Sequence, residues 1–112
     1  MSPIRLTQAT ALILRALATG HHHGFEIMEV SGLPSGTVYP VLRRLERELA
    51  VESEWEGEAV AHDAGRPRRR VYRLTESGQQ WAERARQRLA ETARLMADPN
   101  LAGVPASGGD AS

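Results

Sequence analysis

"VESEWEGEAVAHDAGRPRRRVYRLT", residues Val51 to Thr75, is where the chain changes its hydrophobic period. In the first eight residues Glu52, Glu54, Glu56 and Glu58 alternate with Val51, Ser53 and Trp55, the period of two that a strand imposes. Toward the end, Tyr72 and Leu74 alternate with Val71 and Arg73, which predicts a second strand. The intervening "AVAHDAG" reads as a loop, so the pair is expected to form a hairpin with a long tip. Strand pairing would bring Arg69 and Arg73 beside Glu52, Glu54 or Glu56 as cross-strand ion pairs. Arg66 and Arg68 flank Pro67 nearer the tip, with no acid close in sequence except Asp63.

The segments on either side are helical. Leu6, Ala9, Leu12, Ile13, Ala16 and Leu17 recur at helical spacing, and Gly20 supplies a stop. "FEIMEVSG" predicts a short second helix ending near Gly32. Turn residues at Pro34 to Gly36 open a third, whose apolar stripe is Val38, Leu42, Leu45 and Leu49. After the hairpin, Thr75 is placed to cap a last helix with Trp81, Ala82, Ala85, Leu89, Thr92 and Met96 near one seam, ended by Pro99. Three helices, a two-stranded wing and a final helix predict an α+β, mainly α, winged helix-turn-helix. Expected divisions are 1–75 for the winged helix-turn-helix, 76–97 for the last helix and 98–112 for a glycine-rich, disordered tail.

Bulk properties narrow the classes. At 112 residues there is apolar material for one core, and no run approaches a membrane span. Gln8, Thr10 and Arg15 interrupt the apolar start at helical spacing, which suits an amphipathic helix better than a secretory signal. Cysteine is absent, which excludes disulfides and thiolate chemistry and fits a cytoplasmic location. The 14 basic residues, all arginine, balance 14 acidic ones, but unevenly. Seven acids and one arginine lie between Glu46 and Asp63, whereas Gly65 to Arg73 holds five arginines and no acid. A nuclear-targeting reading of that cluster suits it less well than a folded hairpin does.

Opposite the buried stripe of the third helix lie Gly36, Thr37, Pro40, Arg43, Arg44 and Arg47, with Tyr39 at the edge. Small and hydroxyl residues at a helix start admit a phosphate, and arginines one or two turns later can reach guanine edges. An ordinary solvated helix face is the bland reading of the same residues, and the basic wing beside it favours DNA. His21, His22 and His23, with His62 as a possible fourth, could suggest a metal. Adjacent residues on a turn diverge, however, and no i, i+4 pair is present, so no metal site is expected. There is no G-x-S-x-G, phosphate loop or nucleophile and base pair, so no enzyme and no cofactor is expected either. Trp81 reads as a residue of a dimer or domain core in preference to a ligand-stacking one.

"LTQATALILRALATGHHHGFEIM", "LPSGTVYPVLRRLERE" and "GRPRRRVYRLTESG" together resemble the PadR-like transcriptional regulators, over about Leu6 to Leu89. The resemblance implies a homodimeric DNA-binding winged helix, usually a repressor of a neighbouring operon, with the C-terminal helix as dimer contact. It assigns Ser35, Gly36, Thr37 and Tyr39 to the DNA-facing helix start, Tyr39 as a phosphate contact. Arg43 and Arg44 fall at commonly basic positions, and Arg66 and Arg68 in the wing. Pro34-Ser35-Gly36 departs from the S-P-G of many relatives, so Pro40 is harmless if Thr37 caps the helix and removes a backbone bond if Ser35 does. No inducer is identified, and aromatics to line a pocket are few.

The expected DNA-binding set is therefore Ser35, Gly36, Thr37, Tyr39, Pro40, Arg43, Arg44, Arg66, Arg68 and Arg70. The expected dimer interface is Trp81, Ala85, Leu89, Thr92 and Met96. The partners are duplex DNA as a palindromic operator and a second copy, with any small-molecule effector unidentified. The competing class is a winged helix that binds protein through its acidic strand and last helix.

Overall fold

Residues 4–100 are described by the structure, a computed structural model. Thr7 opens α1 (Gln8–Ala18) by accepting the Thr10 amide on its hydroxyl, and one stripe of the helix buries Ala11, Ile13, Leu14, Ala16 and Leu17. The second helix, α2 (Gly24–Ser31), is as short as its sequence implies, buries Ile27, and stops at Gly32, whose left-handed backbone closes the helix.

The third helix, α3 (Ser35–Arg47), buries Val38, Leu42 and Leu45 against the first two. Neither cap weighed from the sequence is used: Pro34 takes the position, and its carbonyl accepts the amides of Thr37 and Val38. Pro40 thus lies inside the helix and removes the amide that would have reached Gly36. Leu49, expected on the buried stripe, is instead past the helix end, 73% exposed and left-handed at φ 63°. The chain reverses there from helix to strand, and the Ala50 amide reaches back five residues to the Leu45 carbonyl. That is the six-to-one bond of a Schellman stop with leucine in glycine's usual place.

β1 (Val51–Trp55) and β2 (Arg70–Leu74) pair antiparallel, Val51 opposite Leu74 and Trp55 opposite Arg70. The connection between them is not the loop expected: α4 (Glu58–Ala64) occupies it, running from Gly57 to a left-handed Gly65. Alanine-rich composition and a terminal glycine favour this helix, although it is too short to show an apolar stripe. The free edge of β2 is fastened to the turn before α2, for Tyr72 donates its amide to the His22 carbonyl at 2.8 Å.

Thr75 caps α5 (Glu76–Ala97) as expected, accepting the Gly78 amide at 3.1 Å. The first turns of α5 pack along α1 and bury Gly78, Ala82 and Ala85. From residue 101 onward the tail expected to be disordered lies outside the described residues. No helix among the described residues is long and apolar enough to cross a membrane.

Candidate nucleic-acid interface

The outer face of α3 and the wing converge on one side of the molecule. Ser35, Gly36, Pro40, Arg43, Arg44 and Arg47 are exposed along α3, and Thr37 is half-buried. Arg43, Arg44 and Arg47 form no ion pair among the described residues, so three guanidinium groups face outward without a carboxylate partner. Tyr39 sits at the edge of this face, where its ring lies directly over Gly24; a Cβ at residue 24 would come within 2.4 Å of the Tyr39 hydroxyl oxygen. The glycine at the start of α2 is what lets the tyrosine ring lie flat on the backbone.

The wing arginines divide differently from the sequence reading. Arg73 pairs with Glu54 at 2.8 Å and Arg69 with Glu56 at 3.5 Å, the cross-strand pairs expected. Arg66, expected to be free at the tip, is the most restrained. Its Nη1 and Nη2 fork both oxygens of Glu56, the latter at 2.9 Å, and Nη1 also reaches the Pro67 carbonyl at 3.3 Å. The α4 insertion is the cause, since it folds residue 66 back against the end of β1. Glu56 accepts the Arg69 amide too, and these bonds, that to Arg66 foremost, hold its carboxyl down to about 2 from 4.5.

Arg68, at the wing tip, keeps both terminal nitrogens close to free. Its Nε donates to the Glu56 carbonyl at 2.8 Å, and Nη1 approaches the exposed Glu58 only to 4.0 Å. Arg70 is tied across to α3: it donates through Nε to Ser53 Oγ at 3.0 Å, Ser53 donates to Glu46 Oε2 at 2.7 Å, and Arg70 Nη2 lies 3.8 Å from Glu46. Glu46, which has no role in the sequence-based expectation, therefore links α3 to both strands of the wing. Arg70 and Arg68 also stack over Trp55, at 5.3 and 6.0 Å from its ring centre.

Four of the five aromatic residues of the chain, Phe25, Tyr39, Trp55 and Tyr72, meet with Arg68, Arg69 and Arg70 around a cleft of about 350 Å³ between α3 and the wing. Composition made aromatics look too scarce for a shaped site; the fold gathers them. The three consecutive histidines do not gather. His22 Nδ1 lies 3.0 Å from the Tyr72 carbonyl and His23 Nδ1 3.4 Å from Glu26, and no cluster of metal-ligating residues forms among those described.

On α5, Ala85 is fully buried within the core of its own chain and offers no surface to a second copy, which corrects its place in the expected interface. Trp81 and Leu89 are half-buried on the same core, Trp81 covered by Arg84 at 4.8 Å. Thr92 is half-buried, while Leu95 and Met96 point outward, Met96 72% exposed.

Three helices, a basic two-stranded wing beside the third with a short helix between its strands, and a long closing helix define a DNA-binding winged helix-turn-helix protein. The chain belongs to the Transcriptional regulator PadR-like family, whose profile matches residues 13–84. It is similar to a PadR family transcription regulator from Clostridium difficile, 25% identical with a TM-score of 0.65, covering 80% of this chain and 95% of that one. A PadR-like transcriptional regulator from Bacillus cereus is 19% identical, TM-score 0.59, with 78% and 85% covered. The fold is also shared with ZitR of Lactococcus lactis, solved in complex with DNA, at 20% identity and TM-score 0.62, with 83% of this chain and 59% of that one covered. No curated protein matches the chain.

Proposed function

We propose that the chain is a sequence-specific repressor that binds a palindromic operator as a homodimer, with α3 in the major groove and the wing on the adjacent backbone. The observation that carries this reading is the trio Arg43, Arg44 and Arg47, exposed on α3 and unpaired while Arg66, Arg69, Arg70 and Arg73 of the wing are paired. Unpaired guanidinium groups on a helix that a wing flanks are positioned to fork guanine edges or phosphates. Ser35, Gly36 and Thr37 then admit the backbone at the helix start, and Tyr39 and Pro40 border it. Two such helices would read half-sites about 10 base pairs apart.

The test is binding of purified chain to its own upstream region and to random duplex at low salt, by fluorescence anisotropy. Binding to both, tighter to the upstream region, is expected; binding to neither overturns the reading. Arg43→Ala or Arg44→Ala should cost about 1–3 kcal/mol on the preferred site and relax its sequence preference. An equal loss on random duplex would remove the base-reading role. A reporter driven from the bound region should rise when the gene is deleted if the protein represses.

A further inference from the structure

We infer that Glu56 is a built-in counter-ion that holds Arg66 and Arg69 out of DNA contact, leaving Arg68 as the phosphate-binding arginine of the wing tip. The inference rests on the DNA-binding reading above and assigns a positioning role to a residue of the acidic strand, which that reading leaves idle. Its basis is donor geometry. A guanidinium grips a phosphate best with two parallel N–H groups. Arg66 already directs such a pair at Glu56 and a further donor at Pro67, and its side chain is only 28% exposed. Arg69 gives its backbone amide to one Glu56 oxygen and sets Nη2 against the other. The carboxylate is itself nearly covered, 10% exposed, so a phosphate cannot share it and would have to displace it.

Arg68 is arranged the other way. The same residue, Glu56, fixes it through a main-chain carbonyl on Nε, which orients the guanidinium without neutralising it, and its side chain is 45% exposed. One glutamate thus sorts three neighbouring arginines: its carboxylate silences two and its carbonyl aims the third. The purpose such sorting serves is discrimination, because every wing arginine released onto phosphate adds affinity for all sequences equally.

The experiment measures the salt dependence of binding for the full chain on random duplex and on a duplex selected from a random pool. Glu56→Gln should steepen the slope of log K against log salt by about 0.9 for each released arginine that finds a phosphate. It should also lower the ratio of selected to random affinity. Glu83→Gln is the control, since it removes one negative charge and frees Arg86 from its pair on α5 without touching the arginines of the wing. A folded Glu56→Gln protein whose slope and ratio match those of Glu83→Gln overturns the proposal. Arg66→Gln, which removes the charge but retains an amide donor, provides a second arm that does not depend on Glu56→Gln folding. Its slope should equal that of the unaltered chain, whereas Arg68→Gln should flatten the slope by about 0.9 per wing. A flattening with Arg66→Gln instead overturns the proposal. If the unaltered chain binds no duplex, the DNA-binding reading itself falls; if it binds and only these variants misbehave, that reading stands and the sorting role is lost.

Discussion

Two residues carry backbone constraints that their side-chain chemistry does not advertise. Gly78, in the first turn of α5, lies so close to the start of β1 that a Cβ there would come 1.8 Å from the Ala50 carbonyl oxygen. That oxygen accepts the Thr75 amide, so it cannot move without opening the junction between strand and helix. Gly78→Ala should therefore cost about 3 kcal/mol or more, read as a drop in the denaturant midpoint at unchanged slope. Leu49 presents the opposite case: a leucine is held in the left-handed region at φ 63°, exposed and unsupported by packing. Relieving that strain outweighs the extra freedom glycine brings to the unfolded chain, so Leu49→Gly should stabilise by about 0.5–1 kcal/mol in the same assay. Glu56 adds a pH dependence. Its carboxyl is lowered from 4.5 to about 2 by the Arg66 fork, so its contribution is complete above 4.5 and disappears as pH falls from there toward about 2. The melting temperature should fall across that interval, and Glu56→Gln should flatten the fall.

At the scale of elements, local chemistry sets the ends and tertiary contacts set what happens between them. Thr75 shows both, since its hydroxyl accepts the Gly78 amide and donates to the Leu49 carbonyl at 2.6 Å. Thr75→Val should cost about 1–2 kcal/mol in thermal or denaturant unfolding, more than a cap alone because the carbonyl also loses a donor. The helices and strands were legible because their periods are strong and their stops are glycines and prolines. The arginine pairs on the strands were legible because antiparallel pairing puts alternate residues side by side. Arg66 was not, because its partner depends on a helix inserted between the strands, and seven alanine-rich residues between a glutamate run and an arginine run have no apolar stripe to declare them. His22 was illegible for a similar reason: its bond to Tyr72 links residues 50 apart, and no spacing rule encodes that. Glu46 and Ser53 bridge helix and wing through a side-chain bond between two different elements, and no periodicity within either element encodes it.

At the scale of the whole molecule, the proposed dimer rests on α5. A 22-residue helix is about 33 Å long, and it lies on the core from Gly78 through Ala82 and Ala85 to Leu89, beyond which its side chains are mostly exposed. If α5 carries the proposed dimer contact, the side chains it leaves for a second copy are Thr92 and the exposed Leu95 and Met96, with part of Leu89. A seam there would hold two winged domains apart by their closing helices and leave both α3 faces free for successive major grooves. Leu89 is a poor place to test this, because it packs on its own chain and an aspartate there would damage the fold as well as the seam. Leu95→Asp separates the two effects, since Leu95 is exposed within one chain and contributes little to its core. The variant should halve the mass measured by light scattering while the far-ultraviolet spectrum and the buried core stay intact. Its affinity for a two-half-site duplex should fall to that for a single half-site, because the two contacts no longer act at high effective concentration. An unchanged mass would place the dimer contact on another surface and leave the α3 and wing geometry as described.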